Sequence, residues 1–447
     1  MQKKKTLNKI VAPALALGLL VPVNAQAADH TPTASTPAGD LRATLDQLLS
    51  EHYVLAVTSM MKGYDEAADA EVADQALDQN ALDMTPAIAS IYGEEGAAQF
   101  EEIFRGHNDY SADFVEAAKS DNQELRMEAE AEVDEFVEEF STFLDAATEG
   151  NLPKDAAADA LELHEDQVLS VFDNYVEGDY EEAYMTFREG YKHMFNISKA
   201  LSGAIVTQMP DKFTTGADTP AVELRSTLNS LAGEHFALAA IGMQKGYDQA
   251  EDYDYVTWAE DQNTLDFKAA IASVYGDEGA AQFEKVWNSD HITAQGDIVA
   301  ATLEGDEAMI EDARMRLDQF AVDFSTFLDA ATEGNLPQAA GEEAIKQHEA
   351  LVLDTFDQYV AGDAEAAWMS FREGYAFMFG VGETLGNAIV TQMPDKFEET
   401  MMPEEMPETG LGGAQEQSMN TLYAGLAVLG GILLAFVTLR KRKVSEQ

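Results

Sequence analysis

The stretch "VDEFVEEFSTFLDAATEGNLP", residues 133–153, decides the fold. Its apolar residues Val133, Phe136, Val137, Phe140, Phe143, Leu144 and Ala147 recur at steps of three and four, which puts them on one face of a helix. A strand would need strict alternation instead. Acidic residues fill the opposite face, and "EGNLP" ends the pattern with a glycine and a proline. The words "FSTFLDAATEGNLP" return at 324–337, within a matching stripe of Leu317, Phe320, Ala321, Phe324, Phe327 and Leu328.

That return belongs to a longer duplication. "AIVTQMPDKF" stands at 204–213 and 388–397, "KGYD" at 62–65 and 245–248, and "YGEEGAAQFE" (92–101) is answered by "YGDEGAAQFE" (275–284). The offset is 183 early and 184 later, so the second copy gains one residue near Asp290. A period this long marks a duplicated domain, not a solenoid. The first repeat is read as 40–213, the second as 222–397, and "TTGADTPA" (214–221) as a polar linker. Breaks at "KGYD", "YGEEG", "KSDN", "EGNLP" and "EGDY" divide a repeat into about six helices. The expected fold is all-α: two tandem homologous bundles, each of ordinary domain size and each folding by itself.

Composition narrows the function. The 447 residues carry a formal net charge of −55, and 46% of them are hydrophobic, which makes a folded chain rather than an acidic disordered tail. Such a charge opposes nucleic acid as a partner, because phosphate backbones bind basic patches. It suits high-salt or alkaline surroundings, or a surface that gathers cations. With no cysteine, disulfides and thiolate metal sites are excluded. The chain has neither a glycine-rich phosphate loop nor G-x-S-x-G, so neither an NTPase nor an α/β-hydrolase is indicated.

Polar residues on the apolar stripes carry the candidate chemistry. His52 stands among Leu45, Leu48, Leu49 and Leu55, and His235 among Leu228, Leu231 and Leu238. His107 follows Phe100, Ile103 and Phe104, as His291 follows Phe283, Val286 and Trp287. His164 lies with Leu161 and Val168, and His348 with Ile345 and Val352. Asn80 and Asp83 share a stripe at i, i+3, matched by Asn263 and Asp266. His30 and His193 have no counterpart in the other repeat. Buried polar groups need partners. Two arrangements supply them: a His–Asn–Asp hydrogen-bond network that pins the helices, or a metal site in each repeat. Imidazole plus carboxylate suits Zn, Mn, Fe, Ni or Cu, with Met60 or Met243 as a soft ligand for copper. HExxH is broken by Val168 and Val352, and the Glu-x-x-His motif of di-iron bundles does not occur. A module that binds a metal ion or small ligand is the expectation, ahead of a purely structural or interaction protein of the envelope, with a metal-dependent enzyme third.

The two ends speak of location. "MQKKKTLNK", an apolar core and "AQA" at 25–27 make a secretory signal peptide over 1–27. Residues 421–439 are uncharged and long enough to span a bilayer, and the basic 440–447 should stay cytoplasmic. Ahead of the span stands Met406-Pro407-Glu408-Thr409-Gly410. Pentapeptide, apolar span and basic tail together resemble the LPXTG sorting signal of Gram-positive surface proteins, with Met406 where that family has leucine. The resemblance implies that a sortase cleaves between Thr409 and Gly410 and joins the threonine to peptidoglycan, after transient membrane insertion. The segment 398–410 is a short stalk; residues 398–409 reach roughly 40 Å when fully extended, which keeps the body near the wall.

The repeats also loosely resemble a secreted helical module of bacilli sometimes labelled copper amine oxidase. The Asn-Tyr-Asp/Glu signature of such oxidases is not met, because Val176 occupies the deciding position in "DNYVE" (173–177). No amine oxidase activity is expected.

Overall fold

Each repeat opens on Thr-Pro-Ala. In the computed structural model, which describes residues 31–398, the Thr36 hydroxyl accepts from the Gly39 amide and Pro37 takes the first turn of a helix. Thr219 and Pro220 do the same for the second repeat, accepting from the Val222 amide. Proline suits this position because its missing N–H would have no partner there. The helical repeats therefore begin at Pro37 and Pro220, and the last residues of the expected linker, Pro220 and Ala221, belong to a helix.

Among the described residues ten helices follow: α1 Pro37–Tyr64, α2 Ala70–Ser120, α3 Gln123–Ala147, α4 Lys154–Glu177, α5 Tyr180–Gln208, α6 Pro220–Asp248, α7 Tyr253–Glu304, α8 Glu307–Ala331, α9 Gln338–Val360 and α10 Ala364–Gln392. A 3-10 turn, Pro394–Lys396, closes the series. No strand occurs among the described residues. Four of the five sequence breaks coincide with helix ends; the fifth does not. At "YGEEG" the chain stays helical and only kinks, at Gly93 (φ 75°, ψ 177°), and α7 kinks likewise at Gly276 (φ 74°, ψ 179°). Such angles are open to glycine alone. Each repeat thus has five helices, one of them long and bent, where six were expected.

Helices α1 and α6 are the innermost. Between Leu48 and Lys62 every residue of α1 is buried, the behaviour of a helix with neighbours on all sides. It touches α2, α4 and α5 of its own repeat and α6 and α10 of the other. The core is accordingly continuous: Tyr53, Phe172 and Tyr191 from the first repeat and Phe236, Phe356 and Tyr375 from the second join one buried cluster.

The repeats exchange partners as if about a twofold axis. Arg188 on α5 reaches across to Glu234 (2.9 and 3.1 Å) and Asp266 (2.8 Å), while Arg372 on α10 reaches back to Glu51 (2.9 and 3.1 Å) and Asp83 (2.8 Å). The Trp368 indole donates to Asp69 at 3.0 Å and the Tyr184 hydroxyl to Asp252 at 2.9 Å. At the centre, the Tyr375 hydroxyl contacts Ser50 and Tyr191 at 2.7 and 3.1 Å. These bonds are mostly buried, so the expected independence of the two halves gives way to a shared interior.

No helix among the described residues is long and apolar enough to cross a membrane. The signal peptide (1–27), Met406–Gly410, the apolar stretch 421–439 and the basic tail 440–447 lie outside the described residues.

Candidate metal centres

Helices α1, α2 and α4 each bring one imidazole to the middle of the first repeat. His52 Nε2 lies 3.1 Å from His107 Nε2, and the His164 ring centroid is 5.7 Å from that of His52 and 6.0 Å from that of His107. The second repeat rebuilds this with α6, α7 and α9: His235 Nε2 is 3.0 Å from His291 Nε2, and His348 stands 5.4 and 5.9 Å away, ring to ring. In each triad one nitrogen per ring lies within 4.8 Å of the others. None of the six histidines is more than 6% exposed.

Aromatic packing sets the ring planes. His107 stacks on Phe136 at 4.1 Å and 14°, and His291 on Phe320 at 4.3 Å and 9°. Both phenylalanines sit on the stripe that defined the fold. Phe104 and Trp287 each stand 4.9 Å from the α1 or α6 histidine. Trp287 precedes its histidine by four residues and Phe104 by three, which locates the extra residue of the second repeat inside α7. Both spacings face one side of a helix, so the triad survives the insertion.

The sequence-predicted Asn–Asp pairs do not join the histidines. The Asn80 amide donates to the Leu48 carbonyl (3.1 Å) and to Glu51 (2.8 Å), and Asn263 repeats this with Leu231 (3.0 Å) and Glu234 (2.7 Å). Asp83 and Asp266 are taken by Arg372 and Arg188 from the opposite repeat. The stripe of α2 does face α1, as expected, but it meets the side of α1 that carries Glu51. His52, the next residue, is turned by about 100° and looks into the repeat's own centre.

A glutamate in each repeat takes the place expected of the aspartate. Glu165 Oε1 lies 3.4 Å from His107 Nδ1 and 3.8 Å from His164 Nε2; Glu349 Oε1 lies 2.9 Å from His291 Nδ1. The signal was present: "HE" occurs on the α4 and α9 stripes of both repeats. Adjacent helical residues point in different directions, so one would normally face solvent. Here several helices surround α4 and α9, and both members are buried. The Tyr110 hydroxyl bonds His107 Nδ1 and also Glu165. Met60 borders an internal space of about 10 Å³ beside the first triad, room for roughly one water or small ion. His193 bonds the Ala160 carbonyl away from the triads, and His30 lies outside the described residues.

Burial disfavours the charged form of five of these imidazoles. It pushes His52 down to about 3 and His348 to about 4, and it drives His107, His164 and His235 well below the usual histidine range, aided by neighbouring histidines. Burial raises Glu165 to about 8. Glu349 is also pushed up by burial, but His291, His348 and the Gln295 amide outweigh this and hold it below the usual carboxyl range. The 2.9 Å approach to His291 accounts for the contrast with Glu165.

Several polar atoms have no hydrogen-bond partner: Nδ1 of His52, His164 and His235, both ring nitrogens of His348, and Oε1 of Glu165. A hydrogen-bonded core would satisfy them, since each orphan costs about 1–3 kcal/mol. A metal bound at 2.0–2.1 Å by imidazoles sets neighbouring nitrogens roughly 2.9–3.4 Å apart, and both Nε2 pairs fall in that range. In the second repeat the Glu349 carboxylate would then lie on the outer nitrogen of a ligand imidazole, where it would fix the tautomer and raise basicity; in the first the Tyr110 hydroxyl takes that nitrogen. Comparison of the chain with family models, curated proteins and solved structures finds no match.

Proposed function

We propose that this protein binds one transition-metal ion in each of its two homologous repeats, 40–213 and 222–397, and does so at the envelope of a Gram-positive bacterium. One observation carries the metal reading: three buried imidazoles converge twice, with a carboxylate close to one of them, while several of their nitrogens lack protein partners. Zn, Mn, Fe, Ni and Cu suit this donor set. The signal peptide, the Met406–Gly410 motif, the apolar span and the basic tail support secretion, sortase processing and attachment to peptidoglycan. The short stalk agrees with handling of a small ligand close to the wall.

Metal analysis of the mature protein tests the first claim. Two ions per chain should survive dialysis against high salt, which screens surface carboxylates but not an interior site. His52→Ala combined with His107→Ala should remove one and leave the other. A metal-free protein that gains no salt-resistant stabilisation from any of the five metals would make the histidines a hydrogen-bonded core, with one ring of each close pair donating to the other. For the location, muramidase should release a peptidoglycan-bearing ladder ending at Thr409; extraction by detergent with residues 440–447 attached would overturn wall anchoring.

A further inference from the structure

The internal space of about 10 Å³ in the first repeat is walled at one end by His52, His107 and His164. From there its lining runs to Met60 on α1 and Phe114 on α2, about two helical turns further along. The space therefore extends past the point where an ion would sit among the ring nitrogens, and it holds roughly one water. Asn108 and Ser111 are polar parts of its wall. Asn108 is 8% exposed, and neither the nitrogen nor the oxygen of its amide has a hydrogen-bond partner. A buried amide left bare is costly, so this wall is made for a group that bonds it. The second repeat changes both positions: Ile292 stands for Asn108 and Gln295 for Ser111. Gln295 is 3% exposed, and its amide is directed to Glu349 at 3.5 Å.

Resting on the metal reading above, we infer that the metal of the first centre carries an exchangeable water-sized ligand, water or hydroxide, held by the Asn108 amide, and that the second centre binds such a ligand far more weakly. Three imidazoles leave an ion at least one coordination position free, and the space beside the first triad gives that position room. The Asn108 amide nitrogen donates to a metal-bound oxygen, and the amide oxygen accepts the proton of a bound water. The entering group thereby regains the hydrogen bonds it loses on leaving solvent, and the amide gains the partner it lacks. Ile292 offers an entering water or hydroxide no hydrogen bond, so its desolvation at the second centre goes uncompensated on that side. Asn108 acts here through the bound ligand, as a positioning residue.

Fluoride added to the full-length protein loaded with Cu2+ in both repeats tests this. Fluoride has the size and charge of hydroxide, and a fluorine nucleus bound to copper splits its electron paramagnetic resonance lines. The expected result is splitting at one of the two ions, with the other needing about tenfold more fluoride or beyond. Asn108→Leu, close in size, and Asn108→Ala, which widens the space, should each weaken the first step by about tenfold or more while both coppers stay bound. Ile292→Asn should tighten the second step. Equal splitting at both ions, splitting at neither, or a first step unmoved in both Asn108 variants would overturn the inference and leave metal binding standing. Loss of one copper from both Asn108 variants would also overturn it, by making the amide a ligand of the metal itself. Failure of the unaltered protein to hold Cu2+ in high salt would instead remove the metal reading.

Discussion

Replacing Arg372 by methionine should destabilise the protein by about 2–4 kcal/mol. The guanidinium makes two bonds to Glu51, at 2.9 and 3.1 Å, and a third to Asp83 at 2.8 Å. Glu51 is 2% exposed, and its other side-chain partner among the described residues is the Asn80 amide at 2.8 Å. Losing the arginine leaves a buried carboxylate short of a countercharge, a change that costs about 3–5 kcal/mol in fully buried pairs. Arg372 is 18% exposed, so water reaches the site and the lower part of that range applies. The Asp83 arm is 38% exposed and adds no more than about 1 kcal/mol. Urea is the appropriate denaturant, because guanidinium chloride would screen the pair. Glu51→Gln should recover much of the loss in the Arg372→Met background, giving a coupling of about 2 kcal/mol in a double-mutant cycle. Arg188→Met should behave alike, with Glu234 left exposed to the same penalty. A cost below about 0.5 kcal/mol, with no coupling to Glu51, would show that the repeats are not clamped as described.

Metal-free protein should be acid-labile. His52 and His348 titrate at about 3 and 4 when folded, against about 6.5 when unfolded, so between these values the unfolded chain binds more protons. Their stabilising effect is complete above about pH 6.5 and lost as pH falls toward 3, by a few kcal/mol; a melting temperature unchanged from pH 7 to pH 4 would contradict this. The helix kink makes a further test: Gly93→Ala should cost about 1–3 kcal/mol, since φ 75° with ψ 177° strains any side chain. Gly203→Ala in α5, where a Cβ meets nothing within 4 Å, should instead stabilise by about 0.5–1 kcal/mol. Equal effects of the two changes in urea unfolding would refute the kink as described.

What the sequence determined by itself was periodic and local. Stripes at three and four residues imply helices, and turn residues mark where most of them end, because both depend on neighbours within a few positions. Gly93 escaped that logic, since a glycine in a polar stretch reads as a loop whether the chain breaks or merely bends. The six histidines were legible because each lay on an apolar stripe in both repeats. Asn80, Asp83, Asn263 and Asp266 lay on such stripes too, and only the packing of α2 against the Glu51 side of α1 assigned them to the interface between repeats. Glu165 and Glu349 were hidden for the converse reason: beside a buried histidine a helical neighbour should face water, unless helices surround it. Periodicity tells that a face is covered. Which helix covers it is settled by packing between residues far apart in sequence: within a repeat it brings the three histidines together, and between repeats it gives Glu51 and Asp83 their partner Arg372.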